Sequence, residues 1–299
     1  MPKLALLAVA CVAVAGSSPQ PVARVRTGDF PAGLTMAHHA VWVANDGAGT
    51  IARVDPQTNR VTRRIRLRPG LISLTHGFGA LWVVNYRTGL LTRVDPSTFR
   101  ARTVRVGAIP FEVVAAYGRV WVTAWEAGTL VEVDPRALKV VRRTRIGPRP
   151  AGLRAAAGAV WVGFGRSATA IDRVDPRTHR IERVPVGIRA PTKFVAGTRD
   201  LWIQAADNVL IRLDPRTRKV RARLSFGGTL GHGAVAADGA IWMPDKELNV
   251  VHRVDAKTSS VVDSFPGGSG PFFALRAFGS TSVANYAGDD VWRYRPAGG

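Results

Sequence analysis

Residues 40–61 read Ala-Val-Trp-Val-Ala-Asn-Asp-Gly-Ala-Gly-Thr-Ile-Ala-Arg-Val-Asp-Pro-Gln-Thr-Asn-Arg-Val, and the rest of the chain repeats this phrase. Its Val-Asp-Pro-x-Thr core returns with aspartates at Asp55, Asp95, Asp134, Asp175, Asp214 and Asp255, separated by 40, 39, 41, 39 and 41 residues. Upstream of each stands a tryptophan in an apolar run: Trp42, Trp82, Trp121, Trp161, Trp202 and Trp242. A seventh, worn copy survives, because Thr281-Ser-Val-Ala-Asn-Tyr286 aligns with Val41-Trp-Val-Ala-Asn-Asp46. Seven units of about 40 residues fill residues 21–296 and leave nothing for a second domain.

Short β runs at this period predict a propeller rather than a helical solenoid. In the first unit Gly33–Ala37, Ala40–Ala44, Thr50–Asp55 and Arg60–Leu67 read as four strands, here lettered A to D from the inside outward. Strand B is apolar on both faces, as a strand between neighbouring blades must be. Strand D alternates, with Val61 and Ile65 on one face and Thr62 and Arg64 on the other, the pattern of a half-exposed outer strand. Val22–Arg26 looks like a D strand without a blade, and the seventh unit ends after its C strand, Val291–Arg295. The expected fold is therefore all-β, a seven-bladed propeller of four-stranded antiparallel blades, with the N-terminal strand closing the last blade.

Residues 1–18 read as an export signal: Lys3, the apolar run Leu4–Ala15 and the small-residue site Ala13-Val-Ala15. Cleavage there, lipid attachment at Cys11 and an uncleaved anchor are the alternatives, and all three place the protein in the secreted or cell-envelope space. No later stretch is long and apolar enough to span a membrane. Cys11 is the only cysteine, which excludes an intramolecular disulfide and a multi-cysteine metal site. Lys and Arg total 42 against 21 Asp and Glu, giving a formal charge of +21. The arginines concentrate on D strands around the rim, where charge keeps edges from pairing. No basic cluster interleaved with aromatics marks a nucleic-acid groove.

The unit G-x-x-P…A-V-W-V-A-N…G-T-I-x-R-V-D-P-x-T resembles the YVTN-repeat propellers and the virginiamycin B (streptogramin) lyase-like propellers. The lyase resemblance implies elimination at a cyclic depsipeptide ester, with a histidine base, a Glu-x-His pair about one blade later and a magnesium ion. His232, opening the sixth A strand, is the counterpart of the first histidine. One repeat later stands Phe272-Phe-Ala274, and Glu-x-His occurs nowhere in the chain. The resemblance thus carries over one residue. It leaves a non-catalytic binding or scaffold protein as the first expectation and the lyase as the alternative. Under the first, no cofactor or metal is expected; Mg²⁺ belongs to the second.

The repeated aspartates read as turn formers rather than calcium ligands, and the strand-B tryptophans as packing between blades. Individuality lies elsewhere, at the A-strand starts and B–C loops, which share one end of the channel. There the sequence gathers Asn45, Asn85, Tyr86, Phe111, Glu112, Trp125, Lys193, His232, Phe272, Phe273, Asn285 and Tyr286. An apolar mouth with few polar groups is the composition of a small-molecule site, and aromatics plugging the channel are the bland alternative. The partner is expected to be a small molecule or a protein at that mouth, with the propeller itself a monomer.

Overall fold

The computed structural model describes residues 18–165 and 167–295. The segment read as an export signal, with Cys11 and Ala15, lies outside them. Seven four-stranded antiparallel sheets follow one another around a ring. The first comprises strand A (Pro31–Ala37), B (Ala40–Asn45), C (Thr50–Asp55) and D (Arg60–Arg66). The next five occupy residues 71–105, 110–145, 150–185, 191–225 and 235–266. The seventh is built from Pro271–Ala277, Ser280–Asn285 and Asp290–Tyr294, with Pro21–Arg26 as its outer strand. That strand pairs Arg24 with Trp292 and Val25 with Val291. The Arg24 guanidinium lies 4.0 Å from the Trp292 ring. Ring closure is therefore as expected, and no helix occurs among the described residues.

Each strand-B tryptophan faces the following blade. Trp42 packs with Leu71, Leu74 and Val83 of blade 2, Trp82 with Val113 and Val122 of blade 3, and Trp242 with Ala274 and Val283 of blade 7. All six tryptophans are essentially fully buried. Four also tie down their own A–B turn: the indole N–H of Trp42, Trp82, Trp121 and Trp161 donates to the carbonyl five residues earlier, at 2.9–3.1 Å. The interface between blades 7 and 1 has Ser282 at this position. Arg293 reaches across it instead, donating to the Pro56 carbonyl and, at 2.9 Å, to Asn59 Oδ1.

The repeated aspartates form the C–D turns. In each of the six, one carboxylate oxygen accepts the N–H groups two and three residues ahead, as Asp175 does from Arg177 (2.8 Å) and Thr178 (2.9 Å). These N–H groups pull the carboxyls of Asp55, Asp95, Asp134, Asp175, Asp214 and Asp255 below the ordinary aspartate range.

Blades 5 and 6 depart from the pattern near the axis. Their A strands shorten to Pro191–Phe194 and Val235–Ala237. Ahead of the latter, Gly231 still donates to the Pro244 carbonyl of its own B strand at 2.8 Å, but His232 and Gly233 leave that sheet. The N–H groups of His232 and Gly233 donate to the Phe272 carbonyl of blade 7 at 2.6 and 3.0 Å. The approach requires glycine: a Cβ at Gly231 would sit 2.7 Å from that oxygen.

Candidate functional site

The channel mouth carries a continuous run of rings. Trp125 and Phe111 lie 5.3 Å apart, Phe111 and His232 5.2 Å, and His232 stacks on Phe272 at 4.9 Å. Phe272 continues to Tyr286 at 5.0 Å and Tyr286 to Phe30 at 4.9 Å. Each centroid separation is in the favourable range for aromatic pairs. The Tyr286 hydroxyl donates to Asp46 Oδ2 at 2.8 Å. Burial and that carboxylate raise the phenol above its ordinary value.

Beneath the rings runs a polar strut across the channel. Lys193 of blade 5 donates to Glu112 Oε2 of blade 3 at 3.0 Å, and its ammonium sits 4.4 Å from the Phe111 ring centroid. Ser73 of blade 2 donates to the other Glu112 oxygen. Burial pushes the Lys193 pKa down, while Glu112 opposes the shift. His232 is pushed well below the ordinary imidazole value, first by burial and then by the charges of Lys193 and Lys246. It is therefore neutral near pH 7.

Beside the run of rings, toward blades 5 and 6, a cleft of about 310 Å³ opens. Phe111, Trp125 and Phe272 supply its aromatic walls, and Lys193, Gln204, Asn208, His232 and Lys246 its main polar groups. The blade-6 B–C loop beside it is held rigidly. Asp245 Oδ1 accepts N–H groups of Thr229, Glu247 and Leu248 at 3.0–3.1 Å. Its Oδ2 meets His252 Nε2 at 3.3 Å, and His252 Nδ1 meets Ser264 Oγ at 2.7 Å.

Five of the twelve residues expected at the mouth thus line one cleft: Phe111, Trp125, Lys193, His232 and Phe272. Glu112 stands behind Lys193, and Tyr286 extends the run of rings away from the cleft. Phe273 packs toward the closing interface. The amide N–H groups or oxygens of the three asparagines bond within the scaffold, with Asn285 Oδ1 left buried and without a partner. Asn45 bonds Thr27 and Thr50, Asn85 bonds Arg68, Pro69, Arg87 and Thr88, and Asn285 bonds Asp290. Tyr86 accepts from Arg87 Nε at 3.2 Å and does not line the cleft. Gln204, Asn208 and Lys246 were not singled out by sequence reading. Lys246 was detectable as the only cation in the second position of a B–C loop.

A larger recess of about 540 Å³ lies on the opposite face between blades 5 and 6. Its Arg212 is bonded to Asp200 at 2.5 Å and its Arg221 to Asp214, so two of its three arginines are already paired. It has none of the aromatic walls of the mouth apart from Trp202, which is essentially fully buried.

The residues around His232 do not fit a magnesium ion. A hard divalent cation needs several oxygen ligands, whereas His232 contacts two phenyl rings and faces two ammonium groups. No group of three His, Cys, Asp or Glu side chains suited to a metal occurs among the described residues.

Strand order, ring closure and blade number define the chain as a seven-bladed β-propeller. It is similar over 90% of its length to a solved chain of Kuenenia stuttgartiensis hydrazine synthase, covering 96% of that chain, with a TM-score of 0.78 and 15% identity. At that identity the likeness shows the fold alone. No protein-family model matches the sequence, and no curated protein matches it.

Proposed function

We propose that this is an exported, non-catalytic binding protein that holds a small molecule in the cleft between Trp125, His232 and Phe272. The observation that carries the reading is the cleft itself: about 310 Å³, walled by three aromatic side chains and lined by a handful of polar groups. The Lys193–Glu112–Ser73 strut fixes the inner strands of three blades around it, so the site stands on rigid elements. Export rests on the N-terminal signal pattern. The YVTN-like repeat accounts for the scaffold and leaves the ligand to the mouth. His232 alone is too little for the elimination alternative, which needs a base, an acid and a metal at one place.

A thermal-shift ligand screen tests the proposal. Hits should raise the melting temperature of the intact protein, lose their effect with Trp125→Ala or His232→Ala, and keep it with Asp175→Ala on the opposite face. Hits that are indifferent to both mouth substitutions would overturn it.

A further inference from the structure

We propose that the cleft selects a planar aromatic anion, a ring system bearing one carboxylate. This rests on the small-molecule reading above and adds the chemistry of the ligand. The walls favour a flat apolar body, because Trp125, Phe111 and Phe272 present π-faces and edges.

The charge follows from which groups are already paired. Two ammonium groups line the cleft and no carboxylate does. Lys193 is committed to Glu112. Lys246 is exposed and has no salt-bridge partner among the described residues. The carboxylates on either side of it in the chain are engaged elsewhere: Asp245 accepts backbone N–H groups and meets His252 Nε2 at 3.3 Å, and Glu247 accepts from Thr229 Oγ1 at 2.5 Å; Asp207, in the neighbouring B–C loop, is bridged to Arg189 at 2.9 Å.

One unpaired ammonium matches one negative charge, which favours a carboxylate over a doubly charged phosphate. The backbone that carries Lys246 is also fixed in advance. Its own N–H donates to the Thr229 carbonyl at 2.9 Å, and Asp245 bonds the residues on either side of the loop. Asn208, which lines the cleft with Lys246, accepts from Leu230 N–H through Oδ1 at 3.4 Å, and its amide N–H groups have no hydrogen-bond partner among the described residues. Burial first, and the two lysines after it, keep His232 neutral, so it adds no charge of its own to the cleft.

The test is binding of naphthoate, naphthamide and naphthylmethylamine to the intact protein and to Lys246→Gln, followed by calorimetry and by tryptophan fluorescence. Lys246 is exposed, so its replacement leaves the fold intact. Naphthoate should bind at least about tenfold more tightly than naphthamide, one charge-assisted hydrogen bond. The amine should bind most weakly, and Lys246→Gln should bring acid and amide together. If amide or amine binds as well as the acid at a site lost with Trp125→Ala, the anion is wrong and the small-molecule cleft stands. If none of the three binds, the aromatic anion is wrong, and the ligand screen with Trp125→Ala and His232→Ala decides the small-molecule reading by itself.

Discussion

Breaking the cross-channel strut should destabilise the ring through one partner and be partly forgiven when both are changed. In Lys193→Met the Glu112 carboxylate keeps its Ser73 hydroxyl and loses its cation. Removing one member of a buried pair costs about 3–5 kcal/mol. Here the Lys193 side chain is 6% exposed and that of Glu112 17%, so water screens part of the loss and we expect about 2–4 kcal/mol. Glu112→Gln leaves the ammonium over the Phe111 ring, which compensates little, and should cost a similar amount. The double substitution should cost less than the sum by about 1.5–3 kcal/mol, the coupling expected of contacting charges. Urea unfolding of the four proteins gives the cycle directly, and scanning calorimetry should show the single variants melting roughly 4–12 °C lower. A coupling energy near zero, or a Lys193→Met protein as stable as the parent, would refute the claim that this pair ties blades 3 and 5 across the channel.

His232 should make the fold acid-sensitive. Its folded pKa lies well below the ordinary value, so between that value and about 6.5 the unfolded chain binds a proton the native state refuses. Stability then falls as pH drops below about 6.5, by up to about 1.4 kcal/mol per unit. His232→Phe should flatten this limb in a denaturation series from pH 7.5 to 4.5, and an unchanged slope would contradict it. Val25, 7% exposed in the closing interface, should cost about 1–2.5 kcal/mol as Val25→Ala, read by urea unfolding. Deleting residues 21–27 should lower the melting temperature of the whole ring rather than fray one blade. Asp175→Ala should lower the melting temperature by opening one C–D turn, while ligand binding at the mouth is unchanged. A streptogramin B ester with Mg²⁺ should not be turned over. Turnover abolished by His232→Ala would reverse that expectation.

The fold was legible because its unit repeats: tryptophans and aspartates at near-constant spacing mark strand B and the C–D turn, whatever the intervening residues. Blade number, strand class and the closing role of Val22–Arg26 all follow from that spacing. The face of the site was legible from the opposite property, variation from blade to blade, which picked out Phe111, Trp125, His232 and Phe272. Partnering was not. Asn45 and Asn85 look free in sequence, yet their amides are occupied by backbone and hydroxyl groups 5 to 18 residues away, on the linker from the preceding blade and in the adjoining turn. Lys193 and Glu112, 81 residues apart, meet only because the ring turns blades 3 and 5 toward each other across the channel, past one intervening blade. Gln204 hides in an apolar strand, and its place at the cleft shows only in the fold, where its amide donates to the Gly231 carbonyl of blade 6 at 2.8 Å.

Hydrogen exchange with and without a hit from the ligand screen tests the central claim most directly. Binding at the mouth predicts added protection in residues 111–125, 192–208 and 229–246 and around Phe272, with the turns at 55–60, 95–100 and 175–180 unchanged. Protection concentrated in those turns, or in the recess bounded by Asp200 and Asp238, would place the ligand on the opposite face and contradict the account.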